Sequence, residues 1–76
     1  MNLRRKREIE KIQNEMQELL ERLEEIQEEE EEYRDNMPEN LQESFRYEES
    51  EEASGNLDDA YSEIESAIET LQLITE

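Results

Sequence analysis

Carboxylates are the only chemically capable side chains that this chain holds in quantity. Aspartate and glutamate make up 25 of its 76 residues, against eight Lys and Arg and no His or Cys. The densest run is Glu28 to Glu32, flanked by Glu24, Glu25 and Asp35; a second comprises Glu48, Glu49, Glu51 and Glu52. Paired carboxylates can exchange protons in catalysis, but only inside a concave, water-excluding site that drives their pKa values apart. Hard-cation loops interleave carboxylates with a turn glycine, and that spacing does not occur. Without Cys or His the chain has neither disulfides nor the usual zinc ligand sets. Tyr33, Tyr47 and Tyr61 could stack on a ligand, yet at helical spacing they read as residues at the edge of a core. No catalytic, cofactor-binding or metal-binding residue is assigned. The expectation is a non-enzymatic protein that acts by contacting other proteins.

The charges are unevenly distributed. Residues 1–11 carry Arg4, Arg5, Lys6, Arg7 and Lys11 against Glu8 and Glu10, a net of +3. The remainder sets 23 acids against Arg22, Arg34 and Arg46, a net of −20. A small basic cluster beside so acidic a body is poorly suited to gripping nucleic acid, so no direct nucleic-acid binding is expected.

The elements that position these charges follow from apolar periodicity. Hydrophobic residues are only 32% of the chain and charged ones 43%, a composition that disordered chains share. Yet Ile9, Ile12, Met16, Leu19, Leu23, Ile26, Tyr33 and Met37 follow alternating steps of three and four, with Glu30 in one slot and Leu20 widening the stripe. Such a heptad predicts a helix with a coiled-coil seam over about 3–36. Glu, Gln, Lys and Arg between the seam positions are good helix formers. Glu8 with Lys11 and Glu18 with Arg22 offer favourable surface pairs.

The period stops at Asn36-Met37-Pro38-Glu39-Asn40, because proline disfavours helical geometry in the residue before it. Leu41 falls outside any period and is expected to fold back over the end of the core. Ser44 is a candidate cap for a second helix over about 44–75, on which Leu57, Ala60, Tyr61, Ile64, Ala67, Ile68, Leu71 and Ile74 form a broader stripe. Ala53, Ala60 and Ala67 recur every seven residues and would permit close helix approach. Ser54-Gly55-Asn56 is ambiguous. A helical glycine costs about 1 kcal/mol relative to alanine, so the second helix is either weakened there or restarts at Leu57. Matched helix lengths favour continuity.

The fold class is therefore all-α: one antiparallel helical-hairpin domain over residues 1–76, with its turn at about 37–43. A core this small contributes little net stability, and self-association is the remaining support. A dimeric four-helix bundle is expected, with Ile12, Met16, Leu19, Leu23, Ile26, Leu57, Tyr61, Ile64, Ile68 and Leu71 in its core. Folding about residue 40 brings both acidic runs to the turn end and leaves the basic cluster at the open end. Eight acids in residues 24–35 approach duplex DNA's roughly one charge per 1.7 Å of axis. The expected partner-binding patch is thus Glu24, Glu25, Glu28, Glu29, Glu31, Glu32, Asp35, Glu48, Glu49, Glu51 and Glu52, beside turn residues Asn36, Met37, Pro38, Asn40, Leu41 and Phe45. The alternative is a structural coiled-coil module whose charge serves solubility and register. No apolar stretch exceeds two residues, which predicts no membrane span and a cytoplasmic location.

The stretch Asp35-Asn36-Met37-Pro38-Glu39-Asn40-Leu41-Gln42-Glu43-Ser44, followed by Arg46-Tyr47-Glu48 and a helix alternating acid and alanine, resembles short acidic coiled-coil proteins of phages and mobile elements in Gram-positive bacteria. Those chains likewise begin with a basic tip and an acidic helix. This one departs at Phe45, where a charged residue is usual, and at Ser54-Gly55, where an apolar helix position is. The resemblance transfers no activity. It implies a genomic context in which small acidic proteins often inhibit host enzymes, some by imitating DNA.

Overall fold

Leu3 to Asp35 holds neither Gly nor Pro and is rich in strong helix formers, so nothing interrupts it. In the computed structural model, which describes residues 1–76, this stretch is helix α1, Leu3–Asp35. A 3-10 turn at Glu39–Leu41 leads into helix α2, Phe45–Thr75, which returns antiparallel to the first. The hairpin is a rod of 59 × 15 × 14 Å.

Side chains close both helix starts. Asn2 accepts the Arg5 amide at 2.8 Å and Ser44 accepts the Tyr47 amide at 3.4 Å, each satisfying an orphan N–H of a first turn. The turn itself needs no glycine, since no residue in the chain has positive φ. Pro38, at φ −57° and ψ 146°, directs the chain out of α1. Backbone bonds from Leu41 to Pro38 (2.9 Å), Gln42 to Glu39 (3.2 Å) and Ser44 to Leu41 (3.0 Å) then reverse it. Leu41 does not cover the end of the core; it is 45% exposed, because the 3-10 turn carries it to the outer surface. α2 passes through Gly55 without a break.

The face that α1 turns to α2 differs in phase from the apolar heptad. Ile9, Gln13, Met16, Leu20, Leu23, Gln27, Glu30 and Arg34 are withdrawn from solvent, in unbroken steps of three and four. Leu20 is the most buried side chain in the molecule at 2% exposure, whereas Ile12, Leu19, Ile26 and Tyr33 stand between 46% and 50% exposed. The apolar period merges two neighbouring edges of α1. It misses the true seam because that seam includes polar residues with partners across the hairpin.

The seam thus has two halves. Toward the open end Met16, Leu20 and Leu23 meet the stripe of Leu57, Tyr61, Ile64, Ile68 and Leu71, and Thr75 Oγ1 donates to Gln13 Oε1 at 3.1 Å. Toward the turn the contacts are polar. Arg34 reaches across α2 to donate to the Ser50 carbonyl (2.9 Å), the Ser50 hydroxyl (3.0 Å) and the Ser54 hydroxyl. Ser50 Oγ in turn donates to Glu30 Oε1 at 3.1 Å, and Gln27 Nε2 donates to the Ser54 carbonyl (3.0 Å) and Asp58 Oδ1 (2.8 Å). Only Leu20, Ile68, Ser50 and Ser54 are buried outright.

Candidate interaction surface

The α1–α2 seam divides the surface of the rod lengthwise into two unlike sides. On one, Glu24, Glu28, Glu31 and Asp35 of α1 face Glu51 and Asp58 of α2 across a shallow groove floored by Leu23, Gln27, Arg34, Leu57 and Ser54. Heptad spacing on two helices builds this wall. Glu24 and Glu31 are seven residues apart, as are Glu28 and Asp35, and as are Glu51 and Asp58, so each pair recurs on one helix edge. Tyr61 continues the groove toward the open end. Its partial burial, then the neighbouring charges of Glu24, Glu65 and Glu21, hold its phenol pKa above the ordinary value of 10.0.

On the other side Tyr33 shares a hollow with Ala53, Glu49 and Arg46. From Tyr33 the heptad steps back along α1 to Ile26, Leu19 and Ile12. From Ala53 it steps along α2 to Ala60, Ala67 and Ile74. This side is apolar over most of its length. Around the turn Tyr33 also borders a hollow with Met37, Pro38, Leu41 and Phe45, and Phe45 is 77% exposed.

The predicted acidic patch is therefore spread around the turn half of the rod instead of lying on one face. Glu24, Glu28, Glu31, Asp35 and Glu51 come together in the groove, and Glu49 lies on the apolar side. Glu25, Glu29, Glu32, Glu48 and Glu52 are exposed on the outer surfaces of their helices. Of the turn residues, Asn36, Met37, Pro38, Leu41 and Phe45 border the turn hollow, and Asn40 is exposed beside it. Among the apolar set, Met16, Leu23, Leu57, Tyr61, Ile64, Ile68 and Leu71 lie between the helices of one chain, while Ile12, Leu19 and Ile26 face outward.

Sequence reasoning missed Asp58, which the groove shares with Glu51, and the bonded group Gln27, Glu30, Arg34, Ser50 and Ser54. The seven-residue step from Glu51 could have found Asp58. A second heptad through Leu20, Gln27 and Arg34 could have found the group.

Charge is the dominant property of the turn half. Residues 24–35 and the stretch level with them, 46–58, carry thirteen carboxylates and two arginines, a net of −11. The longer stretch, thirteen helical residues, rises about 20 Å, giving roughly one net charge per 1.8 Å, beside duplex DNA's roughly one per 1.7 Å. The whole rod, at −17 over 59 Å, reaches only about half that density. No three acidic side chains converge on a point that could hold a metal ion, and no helix is long and apolar enough to cross a membrane. No protein-family model, curated protein or solved structure matches the chain.

Proposed function

We propose that this is a non-enzymatic protein-binding protein, a dimeric four-helix bundle that docks its acidic turn half on the basic, nucleic-acid-binding surface of another protein. The observation that carries the reading is the duplex-like charge density of that half, carried along each narrow hairpin. Such a molecule displaces nucleic acid by offering carboxylates in place of phosphates, each releasing solvent ions from a basic side chain. In the setting that the resemblance implies, it is a phage or mobile-element inhibitor acting in the cytoplasm of a bacterial host.

Immobilised protein exposed to bacterial lysate should capture a partner at low salt and release it to high salt and to added duplex DNA. Reversing Glu24, Glu28 and Glu31 to Lys should abolish capture while leaving helicity intact. Capture insensitive to salt, DNA and charge reversal would sink the reading. The apolar side favours a second possibility, a structural module whose only task is to hold copies together. That reading expects charge reversal to alter stability or oligomer order and no partner to be lost.

A further inference from the structure

We infer that the apolar side is the dimer interface, and that two chains meet across it about a two-fold axis with their turns at opposite ends. This placement rests on the self-association proposed above. Three observations lead to it.

The isolated hairpin is under-buried. Leu20 and Ile68 are its only buried apolar side chains, too few to offset the ordering of two long helices. Ile12, Leu19, Ile26 and Tyr33 line one side and stay 46–50% exposed. A face of 59 by 15 Å offers roughly 900 Å² per copy, close to the 800 Å² per partner of a typical specific interface.

Two-fold symmetry allows hairpins to stack face to face in two ways. With turns at the same end, α1 lies on the partner's α2, and the two net −11 halves are forced together. With turns at opposite ends, α1 lies antiparallel on the partner's α1, and each basic tip crosses the other chain's turn. Arg4 and Arg5 then approach Glu39 of the partner subunit. Charge complementarity selects the second arrangement.

The spacing of the apolar edge fits it. Pairing Leu19 with Ile26 of the partner subunit also pairs Ile12 with the partner's Tyr33, since both pairs share one midpoint between Arg22 and Leu23. On α2 the axis passes close to Ala60, next to Tyr61, which borders the same hollow as Leu23. The axis thus meets a small residue where the two α2 helices must approach most closely. The acidic groove lies on the reverse side, so the dimer presents two grooves facing away from each other.

The absence of native cysteine makes cross-linking a clean test. Light scattering on the full chain should give twice 9.2 kDa. Mixed Leu19→Cys and Ile26→Cys chains should oxidise predominantly to the heterodisulfide. Ile26→Cys mixed with Ala60→Cys, the edge pair that comes nearest in level when turns lie at the same end, should cross-link at least several-fold less. The Leu19→Glu/Ile26→Glu variant should lose the dimer mass at matched concentration. A single-chain mass for the wild type overturns both the self-association reading and this placement. A dimer that prefers the Ile26–Ala60 link, or one unaffected by the glutamates, overturns this placement alone, as does any mass above two chains.

Discussion

At the scale of single residues, Arg34 is the least expected participant, a cation drawn into the seam within the most acidic part of the chain. Only the heptad through Leu20 and Gln27 points to it in the sequence, and a charged residue on such a slot ordinarily signals an outward face. What keeps it inward is Ser50 and Ser54, whose small side chains leave room for the guanidinium and supply its acceptors. Arg34→Met should destabilise the hairpin by about 1–3 kcal/mol in urea unfolding, because the partners lose a charge-assisted donor. Adding Ser50→Ala and Ser54→Ala should recover much of that loss, since an apolar seam leaves fewer polar groups unpaired. A triple variant as unstable as Arg34→Met would mean that packing, not bonding, explains the loss.

Tyr61 gives a second test at this scale. Burial and then Glu24, Glu65 and Glu21 make the folded chain hold the phenolic proton more tightly than the unfolded chain does. Above about pH 10 the unfolded state loses that proton first, so stability falls as pH rises through the unfolded value toward the folded one. Thermal unfolding should show this alkaline loss, and Tyr61→Phe should reduce it. The position of Tyr61 on the apolar stripe was legible, as was Glu65 one turn on; Glu24 and Glu21 required the pairing of the two helices.

Elements were the most legible level. Pro38 ends one periodic stretch, Ser44 opens another, and the resulting two helices form the hairpin that their lengths suggest. The phase of α1 was not legible. Ile12, Leu19 and Ile26 are as apolar as Met16 and Leu23, so hydrophobicity alone cannot distinguish the edge facing α2 from the edge beside it. Leu20 and the polar Gln13 and Gln27 settle the matter only once α2 is in place. Gly55 poses the converse problem. Its composition suggests a break, yet helix formation on either side carries the chain through, and its position is exposed with nothing within 4 Å of an added Cβ. Gly55→Ala should therefore stabilise α2 by about 1 kcal/mol through reduced backbone freedom in the unfolded chain. An unchanged urea midpoint would indicate that the helix is already open at Gly55 in solution.

For the whole molecule, net charge opposes the folded shape. Like-charged neighbours such as Glu24 with Glu28, Glu25 with Glu29 and Glu28 with Glu32 each cost a few tenths of a kcal/mol. Together they amount to about 1 kcal/mol, or roughly 4–8 °C in melting temperature for a domain of this size. The screening length falls from about 30 Å at 0.01 M salt to about 8 Å at 0.15 M, a drop from half the rod's 59 Å length to a small fraction of it. Added salt should raise the melting temperature over that range, whereas a fall would mean that attraction between basic tips and acidic turns outweighs the repulsion. Association should follow the same direction, because two chains of −17 repel at long range whichever way they face. Their orientation should behave oppositely. Only unscreened charge distinguishes turns at opposite ends from turns at the same end, so selectivity for the Leu19–Ile26 cross-link over Ile26–Ala60 should decline at 1 M salt, where the screening length is about 3 Å, even as the dimer itself persists. Selectivity unchanged by salt would place the choice of orientation in the packing of Ile12, Leu19, Ile26 and Tyr33, and the charge map would then serve only the outward-facing grooves.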